Sequence, residues 1–302
     1  MKKWIFLFIT VGLLLNCFSA SAEEIKNDTW NIWGENIATE DSADYDFTGA
    51  FDDETFSPNI EVFLLEDQNV VKGNVFVCSG GGDKTRGNDY EGIPACEFYN
   101  SIGYNAYLVN YRVAPYETVD ATLDLQRAIR FVKHYGEEYG IGALDKIATM
   151  GFSAGAMHCY SQGLAFSGNI TPDSIYDEYN CDDVDQENAD VTAVIAVYAA
   201  GMPHDEKGNA IDVKAPILIP GNLNDENIPA FFFAGASGHV ASGFCVDAYQ
   251  ELNDLTLCEL HMYGGVNQPF GMGNEYVSAD QMASQIEAFL NVRFGYQEQK
   301  KD

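Results

Sequence analysis

Five residues near the middle of this 302-residue chain, Gly151-Phe152-Ser153-Ala154-Gly155, place a serine where its hydroxyl can attack an acyl carbon. The pattern G-x-S-x-G follows a short apolar run, Lys146-Ile147-Ala148-Thr149-Met150, and precedes residues that continue as a helix from Ala154 to Phe166. A strand that turns sharply into a helix lifts the serine hydroxyl out of the backbone. Small flanking residues are needed because strand and helix pass so close. Upstream, Cys78-Ser79-Gly80-Gly81-Gly82-Asp83 closes another apolar run. Successive glycines let backbone N–H groups reach a substrate oxygen unobstructed, and with the N–H of Ala154 they would form an oxyanion hole. A phosphate loop is the competing reading of these glycines, and it fails because no Gly-Lys-Ser/Thr follows.

The elements that must position these residues alternate. Apolar β runs are expected at 59–65, 74–78, 104–111, 147–150, 191–198, 230–234 and 257–263. Helical spacing is carried by Leu123, Ile129, Phe131 and Val132 over 118–139, and helices are expected near 243–252 and 279–294. Such alternation implies a mostly parallel sheet with helices on both faces. Residues 23–58 form a polar, acidic, irregular leader ahead of a domain spanning 59–302. Trp30 and Trp33 would pin that leader to the domain, with sugar stacking as the second possibility. The acidic excursion at 168–190 is expected as a cap or lid over the site. Its carboxylates are spaced for calcium, but the glycine and terminal glutamate of an EF-hand loop are missing, which favours a solvated loop.

Lys2 and Lys3, the apolar run from Trp4 to Leu15 and Ala20-Ser21-Ala22 read as a signal peptide over residues 1–22, so the mature chain is expected to be exported. The apolar run is short for a membrane span, and none follows it. A lipoprotein reading would need a better residue than Asn16 before Cys17. The formal charge is −30, and loss of Lys2 and Lys3 deepens it. Such a surface repels nucleic acid and anionic membrane. With 46% hydrophobic residues there is material for one large core. Beyond Cys17, Cys78, Cys96, Cys159, Cys181, Cys245 and Cys258 permit disulfides, though at least half are expected as buried thiols and Cys245–Cys258 is disfavoured. No Cys/His cluster suggests zinc, and no metal or cofactor is expected. Asn27 and Asn169 begin N-x-T glycosylation sequons.

Five segments in order carry a family resemblance: the glycine loop, Glu91–Ala95 (EGIPA), Gly103–Pro115 (GYNAYLVNYRVAP), Asp145–Gly155 (DKIATMGFSAG) and Glu259–Tyr263 (ELHMY). From about Trp30 to Phe294 the chain resembles secreted α/β-hydrolases of the acetyl-xylan-esterase and feruloyl-esterase-like type. The resemblance implies the α/β-hydrolase fold, a Ser…Asp…His order, Ser153 as nucleophile, and Gly81, Gly82 and Ala154 as the oxyanion hole.

Two positions depart from that pattern. The loop that should carry the acid reads Gly235-Ala236-Ser237-Gly238-His239-Val240, and the aspartate falls on Ser237 or Gly238, neither of which ionises. The histidine falls on Gln268 in Val266-Asn267-Gln268-Pro269-Phe270-Gly271, and the trailing Phe-Gly fixes the alignment. Glutamine preserves hydrogen bonding but cannot act as general base. His239 is the best surrogate base. His158 is expected on another helix face as a packing residue, His134, His204 and His261 as surface or strand residues, and Asp83 and Glu91 as groups that could orient substrate. Two functions follow: a carboxyl-ester hydrolase with weak or rerouted catalysis, or a non-catalytic pseudoenzyme. The first would act on a small ester or acylated carbohydrate; the second would hold an acylated carbohydrate or a protein in the old cleft.

Overall fold

The computed structural model describes residues 29–34, 37–39, 44–201, 228–238, 242–266, 270–272 and 277–296. The segment 1–22, His204, His239 and Gln268 lie outside them. The strands are β1 (Thr29–Asn31), β2 (Asn59–Phe63), β3 (Asn74–Cys78), β4 (Asn105–Asn110), β5 (Ile147–Phe152), β6 (Ala193–Val197), β7 (Ala230–Ala236) and β8 (Cys258–Tyr263). The helices are α1 (Ile93–Ser101), α2 (Thr118–Tyr135), α3 (Ala154–Leu164), α4 (Ser242–Leu252) and α5 (Val277–Arg293).

The strands form one sheet in the order β1-β2-β4-β3-β5-β6-β7-β8. β2 runs antiparallel to both neighbours, and every other pair is parallel. Strands β3 to β7 are buried at every residue. Both faces are covered, which is why these strands read as unbroken apolar runs rather than as alternation. On one face Ala95, Cys96 and Tyr99 of α1 share a core with Met282, Ile286, Phe289 and Leu290 of α5. On the other, residues of α2, α3 and α4 form the second core. This is the α/β-hydrolase topology that the sequence implied.

Helix α2 looks too polar for its burial. Asp120, Asp124, Gln126, Arg127 and Arg130 are all buried. The leader and the acidic excursion cover the face turned away from the sheet. Trp33 donates Nε1–H to Asp124 at 2.7 Å, and Arg127 pairs with Asp182 at 2.6 Å and Asp185 at 2.9 Å. Tyr176 donates to Asp120, Arg130 to the Ile170 carbonyl, and Lys133 to the Asn188 and Asp190 carbonyls. The excursion is thus fastened along α2 from its first turn to its last. Trp30 packs among Tyr107, Phe131 and Tyr139, so both tryptophans hold the leader.

Two elements were not anticipated. β1 is three residues long with exposed polar flanks, too short to show a period. In α1, Pro94 sits at the helix start, where its missing N–H costs nothing. Nine residues are again too few for a helical stripe to be read. Cys78, Cys96, Cys159, Cys181, Cys245 and Cys258 are free thiols, four of them buried. Among the described residues no helix is long and apolar enough to cross a membrane.

Candidate active site

Strands β3 and β5 are neighbours, with Cys78 opposite Gly151, so the glycine loop and the serine turn leave the sheet side by side. Ser153 precedes α3 with φ 51° and ψ −118°. Its N–H donates to the Val197 carbonyl at 3.0 Å, and its carbonyl accepts the Ala156 N–H at 3.1 Å. The two glycines of the motif are steric requirements. A Cβ at Gly155 would lie 2.3 Å from the Cys78 carbonyl oxygen, and one at Gly151 would lie 2.3 Å from the Gly155 carbonyl oxygen. The strand and helix can approach this closely only without side chains between them.

The loop after β3 comes within contact of the serine. A Cβ at Gly80 would sit 2.9 Å from Ser153 Cβ and 3.0 Å from Glu91 Oε2. Gly82 has φ +62° and Asp83 φ +56°. The loop is closed at its neck by Gly87 N–H to Gly80 O at 2.8 Å. Tyr111 donates its hydroxyl to the Ser79 carbonyl at 2.5 Å, and Ser79 donates to Asn88 at 2.7 Å. Arg86 makes a two-pronged pair with Asp52 of the leader at 2.7 and 2.8 Å and also donates to the Tyr111 carbonyl. Gly80 is thus the loop residue set against Ser153, with Gly81 and Gly82 next along the same loop and Ala154 directly after the serine.

Two carboxyls hold this loop. Glu91, almost fully buried, accepts the Gly80 N–H at 2.7 Å and the Tyr198 hydroxyl at 2.6 Å. Burial pushes its pKa up, against those two hydrogen bonds. At the other end, Asp83 Oδ1 lies 2.9 Å from His158 Nε2, and His158 Nδ1 lies 3.1 Å from the Thr122 hydroxyl. A carboxylate only accepts, so Nε2 carries a proton toward Asp83, and Nδ1 shares a hydrogen bond with the Thr122 hydroxyl. His158 is fully buried. It is therefore not a mere packing residue on another face: it belongs to the glycine-loop network. Glu91, expected to orient substrate, faces inward as a support instead.

Among the described residues four non-glycines have positive φ: Asp83, Ala143, Ser153 and Tyr198. Three of them follow the adjacent strands β3, β5 and β6. Backbone strain of about 1–3 kcal/mol per residue persists only where surrounding contacts enforce it, and it gathers at functional sites. Tyr198 went unnoticed in the sequence, because an aromatic residue ending a β run carries no signal of its own.

At the position of the expected acid, Ser237 and Gly238 form an exposed turn after β7, with the Ser237 N–H on the Tyr263 carbonyl at 2.8 Å. Gln268 and His239 lie outside the described residues, but the chain just beyond Gln268 returns to the site. Phe270 is buried 4.9 Å from the Tyr198 ring. A Cβ at Gly271 would be 3.2 Å from Glu91, Phe152 and Tyr198 atoms alike. His261 is set apart on β8, 3.0 Å from Glu259 and stacked on Phe232. His134 pairs with Glu187 at 3.1 Å, far along α2. Among the described residues no group of three His, Cys, Asp or Glu side chains could hold a metal.

A serine turn abutting a glycine loop at the C-terminal ends of parallel strands decides the comparison with known proteins. The BD-FAE family model matches residues 66–217, half of the chain. The chain belongs to the BD-FAE family. The match includes both the glycine loop and Ser153, so the BD-FAE core is the part that carries the candidate chemistry. No curated protein matches the chain. Among solved structures it is similar to an acetyl ester-xyloside bifunctional hydrolase from Caldicellulosiruptor lactoaceticus. That match has 23% identity and a TM-score of 0.67, covering 88% of this chain and 96% of that one. It is also similar to the esterase Est2 of Thermogutta terrifontis, with 17% identity, a TM-score of 0.60 and coverage of 82% and 92%. Est2 with propionate bound matches at 18% identity and a TM-score of 0.58, covering 82% and 93%. At these identities the likeness establishes a shared fold.

Proposed function

We propose that this BD-FAE protein is an exported carboxyl-ester hydrolase acting on acylated carbohydrate, with Ser153 as nucleophile and with slow or rerouted proton transfer. The observation that carries the reading is the contact between the strained Ser153 turn and the Gly80–Gly82 loop. An ester carbonyl carbon would meet Ser153 Oγ, and its oxygen would gather charge against the N–H groups of Gly81, Gly82 and Ala154. The alcohol then leaves, and water releases the acid from the acyl-serine. The C. lactoaceticus hydrolase supports a sugar ester as substrate, and the charged, apolar and small-residue pattern of residues 1–22 supports export.

The serine proton is the weak step. Gln268 stands where the histidine is expected and Ser237 or Gly238 where the acid is expected. His239 is the surrogate that this reading puts to the test. Loss of the base from a serine triad costs on the order of 10⁶ in kcat, while ~10³–10⁴ over water survives from the oxyanion hole and binding. Turnover of p-nitrophenyl acetate and of acetylated xylo-oligosaccharide should therefore be slow, abolished in Ser153→Ala and reduced in His239→Ala. Equal rates in wild type and Ser153→Ala, with sugar-ester binding retained, would leave the chain as a non-catalytic receptor for acylated carbohydrate.

A further inference from the structure

We infer that Glu91 is the positioning residue of the acyl-transfer site: it sets the glycine loop against Ser153 and ties it to β6 and to the chain following Gln268. This rests on the ester-hydrolase reading of the same site. The Glu91 carboxyl touches three separate pieces of the cleft. One oxygen accepts the Gly80 N–H at 2.7 Å, which fixes the peptide directly ahead of the oxyanion donors. The other accepts the Tyr198 hydroxyl at 2.6 Å, and Tyr198 is held at φ +36°. The Glu91 side chain also packs under Gly271, where a Cβ would come within 3.2 Å of Glu91 Cγ, Phe152 Cε1 and Tyr198 Oη together.

Burying a carboxyl is costly unless its oxygens are matched, and here each oxygen has its own donor. An alanine in its place would leave the Gly80 N–H and the Tyr198 hydroxyl without their acceptor and would open space beneath Gly271. Gly80, Phe152 and Gly271 would then relax together, and the donors at Gly81 and Gly82 would shift relative to Ser153. A misplacement of about 1 Å at such a site costs on the order of 10²-fold in rate. Glutamine can still accept from Gly80 and keeps the volume, so it should preserve most of the geometry while removing the titration.

The test compares wild type, Glu91→Ala, Glu91→Gln and Tyr198→Phe by three measurements. These are p-nitrophenyl acetate turnover from acid to alkaline pH, the rate at which a fluorophosphonate modifies Ser153, and amide hydrogen exchange of the Ser79–Asp83 peptide. Glu91→Ala should lower kcat and Ser153 modification by about 10²-fold with KM little changed. It should also speed exchange in Ser79–Asp83 while α5 exchanges as in wild type. Glu91→Gln should recover most of the loss and flatten an acid-side inflection in the wild-type profile, and Tyr198→Phe should lie between the two. Unchanged loop exchange in both Glu91→Ala and Tyr198→Phe would overturn the inference, whatever the activities. If wild-type Ser153 neither turns over ester nor reacts with the probe, the ester-hydrolase reading falls, and the exchange measurement alone still decides the role of Glu91. Should Glu91→Ala fail to fold, Tyr198→Phe and Glu91→Gln carry the same decision.

Discussion

Asp83 Oδ1 and His158 Nε2 lie 2.9 Å apart, joining the glycine loop to the helix that follows Ser153. The imidazole is fully buried and the carboxylate a third exposed, and Thr122 on α2 completes the chain at 3.1 Å. Removing either partner leaves a polar group of the other short of a bond, at a cost of about 1–3 kcal/mol. His158→Ala and Asp83→Ala should each destabilise the protein by that amount in urea titrations. Their effects should couple by roughly 0.5–3 kcal/mol in a double-mutant cycle, because the two groups share one interaction. Strict additivity would mean that the hydrogen bond does not hold the loop.

Glu91 gives the pH dependence its sign. Burial raises its folded pKa above that of the unfolded chain. As pH climbs from the ordinary carboxylate range, the unfolded chain loses its proton first, so stability falls through that window and stays lowered above the folded pKa. Asp120, pushed up to about 6 by burial despite the nearby Arg112, acts in the same sense. Glu91→Gln removes one source of that loss. Its melting temperature relative to wild type should therefore rise between acid and neutral pH. A relative melting temperature that falls across this range would mean that the carboxylate stabilises the fold.

Arg112 and Asp124 anchor the leader. Arg112 is buried, donates to both Asp124 oxygens and reaches the Ala38 carbonyl at 2.9 Å, while Asp124 also accepts the Trp33 indole N–H. Asp124→Ala would leave the buried Arg112 guanidinium to Asp120 alone, 3.3 Å away, a loss of about 1–3 kcal/mol. It should also shift tryptophan emission to the red as Trp33 loses its partner. A native emission maximum with an unchanged urea midpoint would contradict this account.

Fold and site were legible to different depths. Strands β3 to β7 could be read because burial on both faces makes them continuous apolar runs, and the steric demands at Gly151 and Gly155 made the serine turn readable as well. The loop's supports were hidden for a physical reason. Asp83 and His158 are 75 residues apart in sequence and Glu91 and Tyr198 are 107 apart, separations that no local pattern reports. The charged face of α2 misleads in the same way, since its cover comes from the leader and from Asp182 and Asp185.

The two positions where a triad acid is expected are not equivalent, and this shapes the most direct test of catalysis. Gly238 has φ +83°, a conformation that costs a side-chain-bearing residue roughly 1–2 kcal/mol, although a Cβ there meets open space. Ser237 is not among the positive-φ residues, and it is exposed, so an aspartate there adds no backbone strain. Gln268→His alone supplies a base without its orienting carboxylate, and loss of that carboxylate in a comparable triad costs ~10⁴ in kcat. The double variants Gln268→His/Ser237→Asp and Gln268→His/Gly238→Asp should thus both exceed the single one in p-nitrophenyl acetate turnover. The Ser237 pair should keep the higher melting temperature, and whichever pair turns over faster identifies the position that can reach the imidazole. Gains that persist when Ser153→Ala is added would show that the restored groups act without the serine, and would remove the nucleophile assignment along with the hydrolase.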